Sequence, residues 1–401
     1  MRLDAGGRPL HLTYCTNIHP GERLAELRAT IEGPVRAVKA RVSPDRPMGL
    51  GLWIPAAALS LLQKPEERED FRALLTASGL YLFTVNGFPY GRFHGTRVKE
   101  SVYQPDWRRA VRAAHTRSLA ELLAALLPPD LSFGSISTVP GTTRALARDA
   151  GAVEAIVDHL LEVAAHLHAL REEGGRTLVL ALEPEPGCLL ESTEDVLRFF
   201  EDRLFAADTR IRFGRRLGVG AGEAEEILRR HLGLCFDVAH FAVGFEEPAR
   251  ALERLAQAGI TIAKLQLSCA LRIASLEEQG RKAARRFDDG VYLHQTAVRT
   301  EEGTIRRFLD LPAALQAEIP GEREWRIHVH VPIFTDSLEP PLATTRGELE
   351  AAVRAARRLD PMPHFEVETY SFDVLPAELR DLAVEEAIAR ELLFARGLLE
   401  G

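Results

Sequence analysis

The chain has 401 residues, of which 46% are apolar and 27% charged, so it can bury a large core as one long barrel or as two smaller domains. Its formal charge is −8 and its basic residues form no long run, which argues against a nucleic-acid partner. It shows no basic leader and no stretch of about 18 apolar residues, so we expect a cytoplasmic protein without a membrane span. Four scattered cysteines without a CxxC pair favour reduced thiols.

Short apolar segments alternate with longer segments of helical period, a pattern typical of βα units around a parallel sheet. The eight predicted strands are HLTYCTN from His11, GLGLWI from Gly49, LYLFTVN from Leu80, SFGSIST from Ser132, TLVLALEPE from Thr177, LGLCFD from Leu232, IAKLQLS from Ile262 and HFEVETY from His364. Amphipathic helices are predicted at 107–127, 151–172, 349–359 and 377–399. This α/β order predicts a (β/α)8 TIM barrel. A doubly wound open sheet is the alternative, but no glycine-rich phosphate loop follows the first strand.

Two segments fall outside this alternation. Residues 206–230 are charged and contain glycine, and we expect them to extend one helix and its turn. Residues 271–325 form an insertion between the seventh strand and the segment WRIHVHVPIF, and contain the stretches RKAARRF and YLHQ. An insertion there lies over the barrel mouth, where it could act as a lid. Because no linker or internal repeat divides the chain, we predict one domain over residues 1–401.

Polar side chains follow or end the last four predicted strands. They are Glu183 and Glu185, Asp237 and His240, Lys264 and Gln266, and Glu366 and Glu368. Carboxylates that converge on a barrel mouth repel one another unless a cation neutralises them, so a divalent metal is the favoured explanation. Acid–base chemistry without a metal is the alternative. Mixed oxygen and imidazole ligands suit Zn²⁺, Mn²⁺, Co²⁺ or Fe²⁺ better than Ca²⁺, and the sequence does not choose among those four.

These residues also have purely structural interpretations. Glu183 and Glu368 could cap helices or form salt bridges, and Asp237 could cap the helix that follows it. Glu185 and Glu366 are equally expected to face the helix layer. In a strand, His328 and His330 share one face, which suits a pair of metal ligands or two ordinary core or surface histidines.

Two loops add candidate substrate contacts to Glu185 and Lys264. NGFPYGRFHGT, after the third strand, contains Asn86, Arg92 and His94, and its glycines permit close approach of a ligand to the backbone. TYCTNIHPGE, after the first strand, places Asn17 and His19 near the mouth. Ordinary turn chemistry is the alternative for both loops.

The segments LALEP, FDVAH and VETY resemble the xylose isomerase-like TIM-barrel superfamily, which includes sugar isomerases, ketose epimerases and the endonuclease IV type of DNA-repair hydrolase. The resemblance implies that Glu183, Asp237, His240 and Glu368 are metal ligands. Gln266 stands where that superfamily has a histidine, and an amide ligates only weakly. His328 and His330 are the substitutes that the resemblance suggests, because the endonuclease branch has Asp-x-His where this chain has His-x-His.

More narrowly, TYCTNIHPGE, SISTVPG, HVHVPIF and EVETYSFDVLP resemble the EboE family of metabolite traffic proteins, which belongs to an operon linked to export of secondary-metabolite precursors. This resemblance covers nearly the whole chain. It implies a small-molecule metabolite as ligand and partner proteins from the same operon, but no established reaction.

Three functions are compatible with these residues. The first is a metal-dependent isomerase or epimerase of a sugar, cyclitol or related metabolite, phosphorylated or not, in which Glu183 and Glu368 are both ligands and catalytic bases. The second is a phosphoester hydrolase in which two or three metals activate water, and the acidic charge argues against DNA as its substrate. The third is a metabolite-binding traffic protein without catalysis.

Overall fold

A computed structural model describes residues 1–91, 94, 99–274, 278–335, 338–372, 375, 380 and 382–401. Arg92 and part of the predicted helix 377–399 lie outside the described residues. The strands in chain order are β1 (Arg2–Asp4), β2 (Pro9–Tyr14), β3 (Met48–Trp53), β4 (Leu80–Asn86), β5 (Phe133–Thr138), β6 (Thr177–Leu182), β7 (Leu232–Asp237), β8 (Thr261–Leu267), β9 (Cys269–Ile273), β10 (Thr296–Thr300), β11 (Ile305–Phe308), β12 (Glu322–Val331), β13 (Leu342–Thr344) and β14 (His364–Val367).

The first sheet is a nearly closed parallel barrel. Its nine strands follow the order β1-β2-β14-β8-β7-β6-β5-β4-β3. Only β1 is antiparallel to its neighbour, which leaves eight parallel strands. A parallel bridge between Cys15 and Gly51 joins the end of β2 to β3 and brings the two edges of the sheet together. The predicted TIM barrel and its eight strands are confirmed, whereas the short strand β1 was not predicted.

The helices in chain order are α1 (Leu24–Thr30), α2 (Arg36–Val42), α3 (Ala56–Leu62), α4 (Pro65–Ala77), α5 (Ala110–Leu126), α6 (Ala152–Gly174), α7 (Thr193–Phe199), α8 (Ala207–Leu217), α9 (Ala221–His231), α10 (Val238–Val243), α11 (Pro248–Gln257), α12 (Glu278–Arg285), α13 (Leu311–Gln316), α14 (Arg346–Ala356) and α15 (Val384–Glu400). A π-helical turn at Ile31–Val35 joins α1 to α2.

The longest helix, α6, illustrates how sequence period becomes packing. Its apolar residues recur at helical spacing and form one buried face that includes Ile156, Leu160, Val163 and Leu167. This helix packs against β6 and α5. It ends at Gly175, whose φ of 69° is a left-handed conformation that glycine adopts without strain. Apolar faces of this kind cover the outside of the barrel.

The segment after β8 builds a second sheet. Its five strands are antiparallel, in the order β11-β10-β12-β9-β13. The helix α10 packs against both β9 and β12, so the second sheet lies against the end of β7. An insertion after the seventh barrel strand is therefore confirmed. Its sheet was not predicted, and that sheet extends beyond residue 325 to β13. Its action as a lid stays a prediction.

The segment 206–230 is an antiparallel-packed pair of helices, α8 and α9, joined by a short turn with Gly218 in the left-handed region at φ 74°. The prediction that it extends a single helix was wrong, because this glycine ends the helix. No helix in the described part of the chain is long and apolar enough to cross a bilayer. The assignment of residues 1–401 to one domain stays a prediction.

A buried carboxylate on α15 connects the ends of two strands. Glu391 is 2% exposed, and its Oε1 accepts hydrogen bonds from the backbone N–H of Ile333 at 3.0 Å and from the hydroxyl of Thr369 at 2.6 Å. Ile333 follows β12, and Thr369 follows β14. Burial raises the pKa of Glu391 to about 7, although both hydrogen bonds oppose this shift. The ionised form of this side chain therefore costs stability.

We expect Glu391→Gln to stabilise the protein at alkaline pH. A carboxyl with a folded pKa of about 7 and an ordinary pKa of 4.5 contributes stability that is complete below 4.5 and is lost as the pH rises through about 7. Glutamine keeps the accepting oxygen and carries no charge. The variant should gain up to about 3 kcal/mol in unfolding free energy near pH ~8.5 and almost nothing near pH ~4.5.

Urea denaturation of variant and wild type at both pH values measures this difference. The control is Glu386→Gln on the exposed side of the same helix, which should change stability little at either pH. An equal effect of Glu391→Gln at both pH values would show that the ionisation of Glu391 is not linked to folding.

Candidate metal centre

Asp237 ends β7 and caps α10. Its Oδ1 accepts hydrogen bonds from the backbone N–H of His240 at 3.1 Å and from the hydroxyl of Ser268 at 2.7 Å. Its Oδ2 is buried and has no hydrogen-bond partner. A buried carboxylate oxygen without a partner is costly unless a cation compensates it. Capping therefore uses one oxygen of Asp237 and leaves the other available to a metal.

Two imidazoles approach that free oxygen. Nε2 of His240 lies 3.8 Å from Asp237 Oδ2, and Nε2 of His330 lies 4.0 Å from it. Nδ1 of His240 donates to the carbonyl of Pro184 at 2.8 Å, and Nδ1 of His330 donates to the carbonyl of Glu368 at 2.8 Å. Because a carbonyl can only accept, both rings carry a proton on Nδ1. Nε2 is therefore the atom of each ring that can ligate.

His328 brings a third imidazole nitrogen into the cluster. Gln295 Nε2 donates to the carbonyl of Pro186 at 3.2 Å, which makes its Oε1 the acceptor for Nδ1 of His328 at 2.7 Å. Nε2 of His328 then faces Nε2 of His330 at 3.1 Å. Burial lowers the pKa of both rings, so two neutral nitrogens turn their lone pairs toward each other. This repulsion is relieved by a cation, and two nitrogens bound to one Zn²⁺ lie about 3.3 Å apart.

Glu183 and Glu368 follow β6 and β14 and are 2% and 8% exposed. Burial, and then the charges of Glu368 and Asp237, raise the pKa of Glu183 well above its usual range. Burial, and then the charges of Asp237 and Glu366, raise the pKa of Glu368 to about 8. Asn17 Nδ2 donates to Glu368 Oε1 at 2.9 Å and so orients this carboxyl. Both groups therefore hold a proton more firmly than an ordinary carboxyl, which suits acid–base chemistry.

The candidate ligands form three overlapping groups among the described residues, and within each group the ligand atoms lie within 4.8 Å of one another. The groups are His240, His328 and His330; Glu183, Glu185 and His240; and Asp237, His330 and Glu368. Nitrogen and carboxylate donors in this number suit a borderline divalent ion. The donor set, the unpartnered Asp237 oxygen and the facing imidazoles therefore fit a metal, whose identity stays open.

An ion pair lies in the barrel beside this cluster. Lys264 Nζ lies 2.7 Å from Glu366 Oε1, and both side chains are fully buried. Asn86 Nδ2 and Gln266 Nε2 donate to the same oxygen at 2.9 and 3.2 Å. Lys264 also donates to Asn86 Oδ1 at 2.8 Å. Because Glu366 pairs directly with Lys264, this lysine only partly offsets the charge of the other carboxylates.

A chamber of about 60 Å³ adjoins the cluster. Its lining includes the candidate ligands Glu183, Glu185, His240, His328 and Glu368, together with Asn17, Asn86, Tyr103, Tyr292, Gln295 and Tyr370. The hydroxyl of Tyr103 donates to Glu185 Oε2 at 3.3 Å. The chamber thus combines carboxylates, imidazoles and phenol groups around a small space.

The other predicted site residues lie elsewhere. Nε2 of His19 bonds to the hydroxyl of Tyr14 at 3.0 Å, and His94 Nε2 donates to the carbonyl of Asn17 at 2.6 Å. Neither histidine lines the chamber. Gln266 and Lys264 contact Glu366, and Gln266 belongs to none of the three ligand groups found among the described residues. Arg92 lies outside the described residues.

Several chamber residues were not predicted from the sequence, among them three tyrosines and a glutamine. Tyr292 and Gln295 belong to the YLHQ stretch of the insertion, and Tyr370 follows Glu368 by two positions. Tyr103 lies in the long connection between β4 and α5. The closeness of YLHQ to the predicted mouth was a usable signal, whereas nothing near Tyr103 in the sequence marks it.

No protein-family model and no curated protein sequence matches the chain. Its structure is similar to a xylose isomerase domain protein from Planctomyces limnophilus, at 14% identity and a TM-score of 0.49 over 98% of this chain and 96% of that one. A xylose isomerase-like TIM-barrel protein from Mycobacterium smegmatis, in complex with magnesium, is 11% identical, with a TM-score of 0.47 over 99% and 98% of the two chains. The IolI protein with a bound zinc atom is 10% identical, with a TM-score of 0.45 over 96% and 98%. The barrel fold stated above rests on the strand order itself.

We expect Gly51→Ala to destabilise the protein by about 2 kcal/mol, because overpacking a buried site typically costs this much. A Cβ at Gly51 would overlap the Glu366 carboxylate and lie 2.8 Å from the Thr13 methyl carbon. The matched control is Gly222→Ala in α9, where a Cβ meets nothing within 4 Å and the helix should gain up to about 1 kcal/mol. Chemical denaturation measures both, and equal effects would contradict the close packing at Gly51.

Proposed function

We propose that the chain is a metal-dependent isomerase or epimerase that acts on a sugar, cyclitol or related polyol. The observation that carries this proposal is the pairing of Glu183 with Glu368. Both carboxyls line the same chamber, both have a raised pKa, and both belong to groups of candidate metal ligands. Two such groups suit removal of a proton from a carbon next to a carbonyl and its return.

In this proposal a divalent ion held by Asp237, His330 and Glu368 supplies positive charge that polarises the substrate carbonyl. Zn²⁺, Mn²⁺, Co²⁺ and Fe²⁺ all suit these ligands. Glu183 takes the role of the base. Glu368 is oriented by the amide of Asn17, which donates to its Oε1. Tyr103 and Gln295 bound the chamber and limit water around the reacting carbon.

A phosphoester hydrolase is the second candidate. The observation that favours it is the overlap of the three ligand groups, which share His240 and His330 and so provide donors for more than one ion. Two ions would activate water and stabilise a phosphoryl group. Because the chain carries a net charge of −8, we expect a small phosphoester as substrate and not DNA.

The EboE-like segments support a third candidate, a metabolite-binding protein that hands its ligand to partner proteins of the same operon. The observation in its favour is Gln266, which stands where the resembled superfamily has a metal-binding histidine. Its Nε2 bonds to Glu366. For all three candidates we propose a small-molecule ligand and a cytoplasmic location.

Metal content tests the metal site on which both enzymatic candidates depend. We expect Asp237→Ala to abolish metal binding and leave the barrel folded, because it removes an unpartnered buried oxygen. The measurement is metal stoichiometry by mass spectrometry after reconstitution with Zn²⁺ or Mn²⁺, with circular dichroism for the fold. The control is Asp158→Ala, since Asp158 pairs with Arg212 on the surface. Wild-type metal content in Asp237→Ala would refute the assigned site.

Solvent exchange tests the isomerase itself. We expect the metal-loaded protein in D₂O to place deuterium next to the carbonyl of a ketohexose or of a cyclitol ketone. Glu183→Gln and Glu368→Gln should each lower that rate by about 100-fold or more, because each removes a base. NMR follows the exchange. Hydrolysis of bis-p-nitrophenyl phosphate without any exchange would instead support the hydrolase. A protein that catalyses neither reaction would support the traffic protein.

A further inference from the structure

The chamber at the candidate metal centre is narrow. Its volume is about 60 Å³, whereas the cleft beside it has about 470 Å³. If the chain acts on a polyol, as proposed above, the reacting carbons can occupy the chamber while the remainder of the molecule lies in a neighbouring space.

A cleft of about 470 Å³ lies directly beside the chamber, a volume within the range of small-molecule sites. We name it the outer cleft. Its polar and aromatic lining includes Arg144, Glu191, Asp195, Glu246, Arg307 and Phe308. His240 and Gln295 line both the outer cleft and the chamber. A candidate metal ligand thus borders both spaces.

Most of the charged groups that line the outer cleft form ion pairs with one another. Arg144 pairs with Glu191 at 2.9 Å and with Asp195 at 3.0 Å. Arg307 pairs with the other oxygen of Glu191 at 3.3 Å. With Glu246, three carboxylates face two guanidinium groups. Such a surface repels a phosphate, but it offers both donors and acceptors to hydroxyl groups.

Phe308 adds an apolar face to this polar lining. A pyranose or cyclitol ring has the complementary structure, with hydroxyls at its edge and C–H groups on its faces. Carboxylate and guanidinium groups that already pair with one another can bind neighbouring hydroxyls without leaving a charge unpaired. The outer cleft is therefore suited to an uncharged polyhydroxylated ring.

We propose that the outer cleft binds the second unit of an extended, uncharged polyol, such as the second ring of a disaccharide, whose first unit reaches the metal past His240 and Gln295. Gln295 borders both spaces, and its amide is held between His328 and the carbonyl of Pro186. A third cleft, beside Tyr103 and Leu293, also adjoins the chamber. That cleft shares none of the residues of the three ligand groups, so it is the less direct route to the metal.

The test is binding of a defined panel to the zinc-loaded protein, measured by calorimetry. The panel is D-glucose, D-fructose, glucose 6-phosphate, sucrose, trehalose and maltose. We expect at least one disaccharide to bind about tenfold more tightly than either monosaccharide, and glucose 6-phosphate to bind no more tightly than glucose. Phe308→Ala should remove about five- to tenfold of the disaccharide affinity and leave monosaccharide affinity and zinc content unchanged.

The matched control is Leu146→Ala, which changes only the third cleft and should not affect any ligand. Disaccharides that bind no better than monosaccharides, or a preference for the sugar phosphate, would overturn the proposal. A loss of disaccharide affinity in Leu146→Ala instead of Phe308→Ala would overturn it as well. Failure of the proposed function is distinguishable, because it appears as absent zinc binding or absent deuterium exchange in the wild type.

Discussion

The candidate site depends above all on two neutral imidazole nitrogens that face each other across 3.1 Å, at His328 and His330. Their other nitrogens are committed to an amide oxygen and a carbonyl, so neither ring can turn a proton toward its neighbour without losing a buried hydrogen bond. Asp237 Oδ2 lies 4.0 Å from the same point, also without a partner. Lone pairs and negative charge converge there, and only positive charge makes the arrangement stable.

Much of the barrel follows from local sequence period. The strands β4 and β7 are continuous apolar segments buried at every position, and the helix α6 buries one face, so these patterns are visible in the sequence without tertiary information. The candidate ligands Glu183, Asp237 and Glu368 could be placed because a parallel barrel brings all carboxyl ends of its strands to one side. Position at a strand end therefore predicts closeness in space.

The insertion and the remaining chamber residues depend on tertiary packing, which the local sequence period does not predict. The sequence of the insertion shows no regular period, because its strands pair with partners far along the chain, as β9 does with β12 and β13. His19 lies close to Asn17 in sequence, yet its ring bonds to Tyr14 and not to the chamber. In a turn, residues that are close in sequence can point their side chains in different directions. Tyr103 and Gln295 reach the chamber only because distant segments pack beside the barrel mouth.

The second sheet contributes two of the candidate metal ligands. His328 and His330 belong to β12, whereas Asp237 and Glu368 extend strands of the barrel. An ion bound between them would cross-link two sheets that otherwise meet through side-chain packing and α10. Its binding energy would then also stabilise the docking of the two sheets, so chelation would loosen their contact as well as remove the ion. Metal supply would in this way govern how rigidly the insertion is held over the barrel.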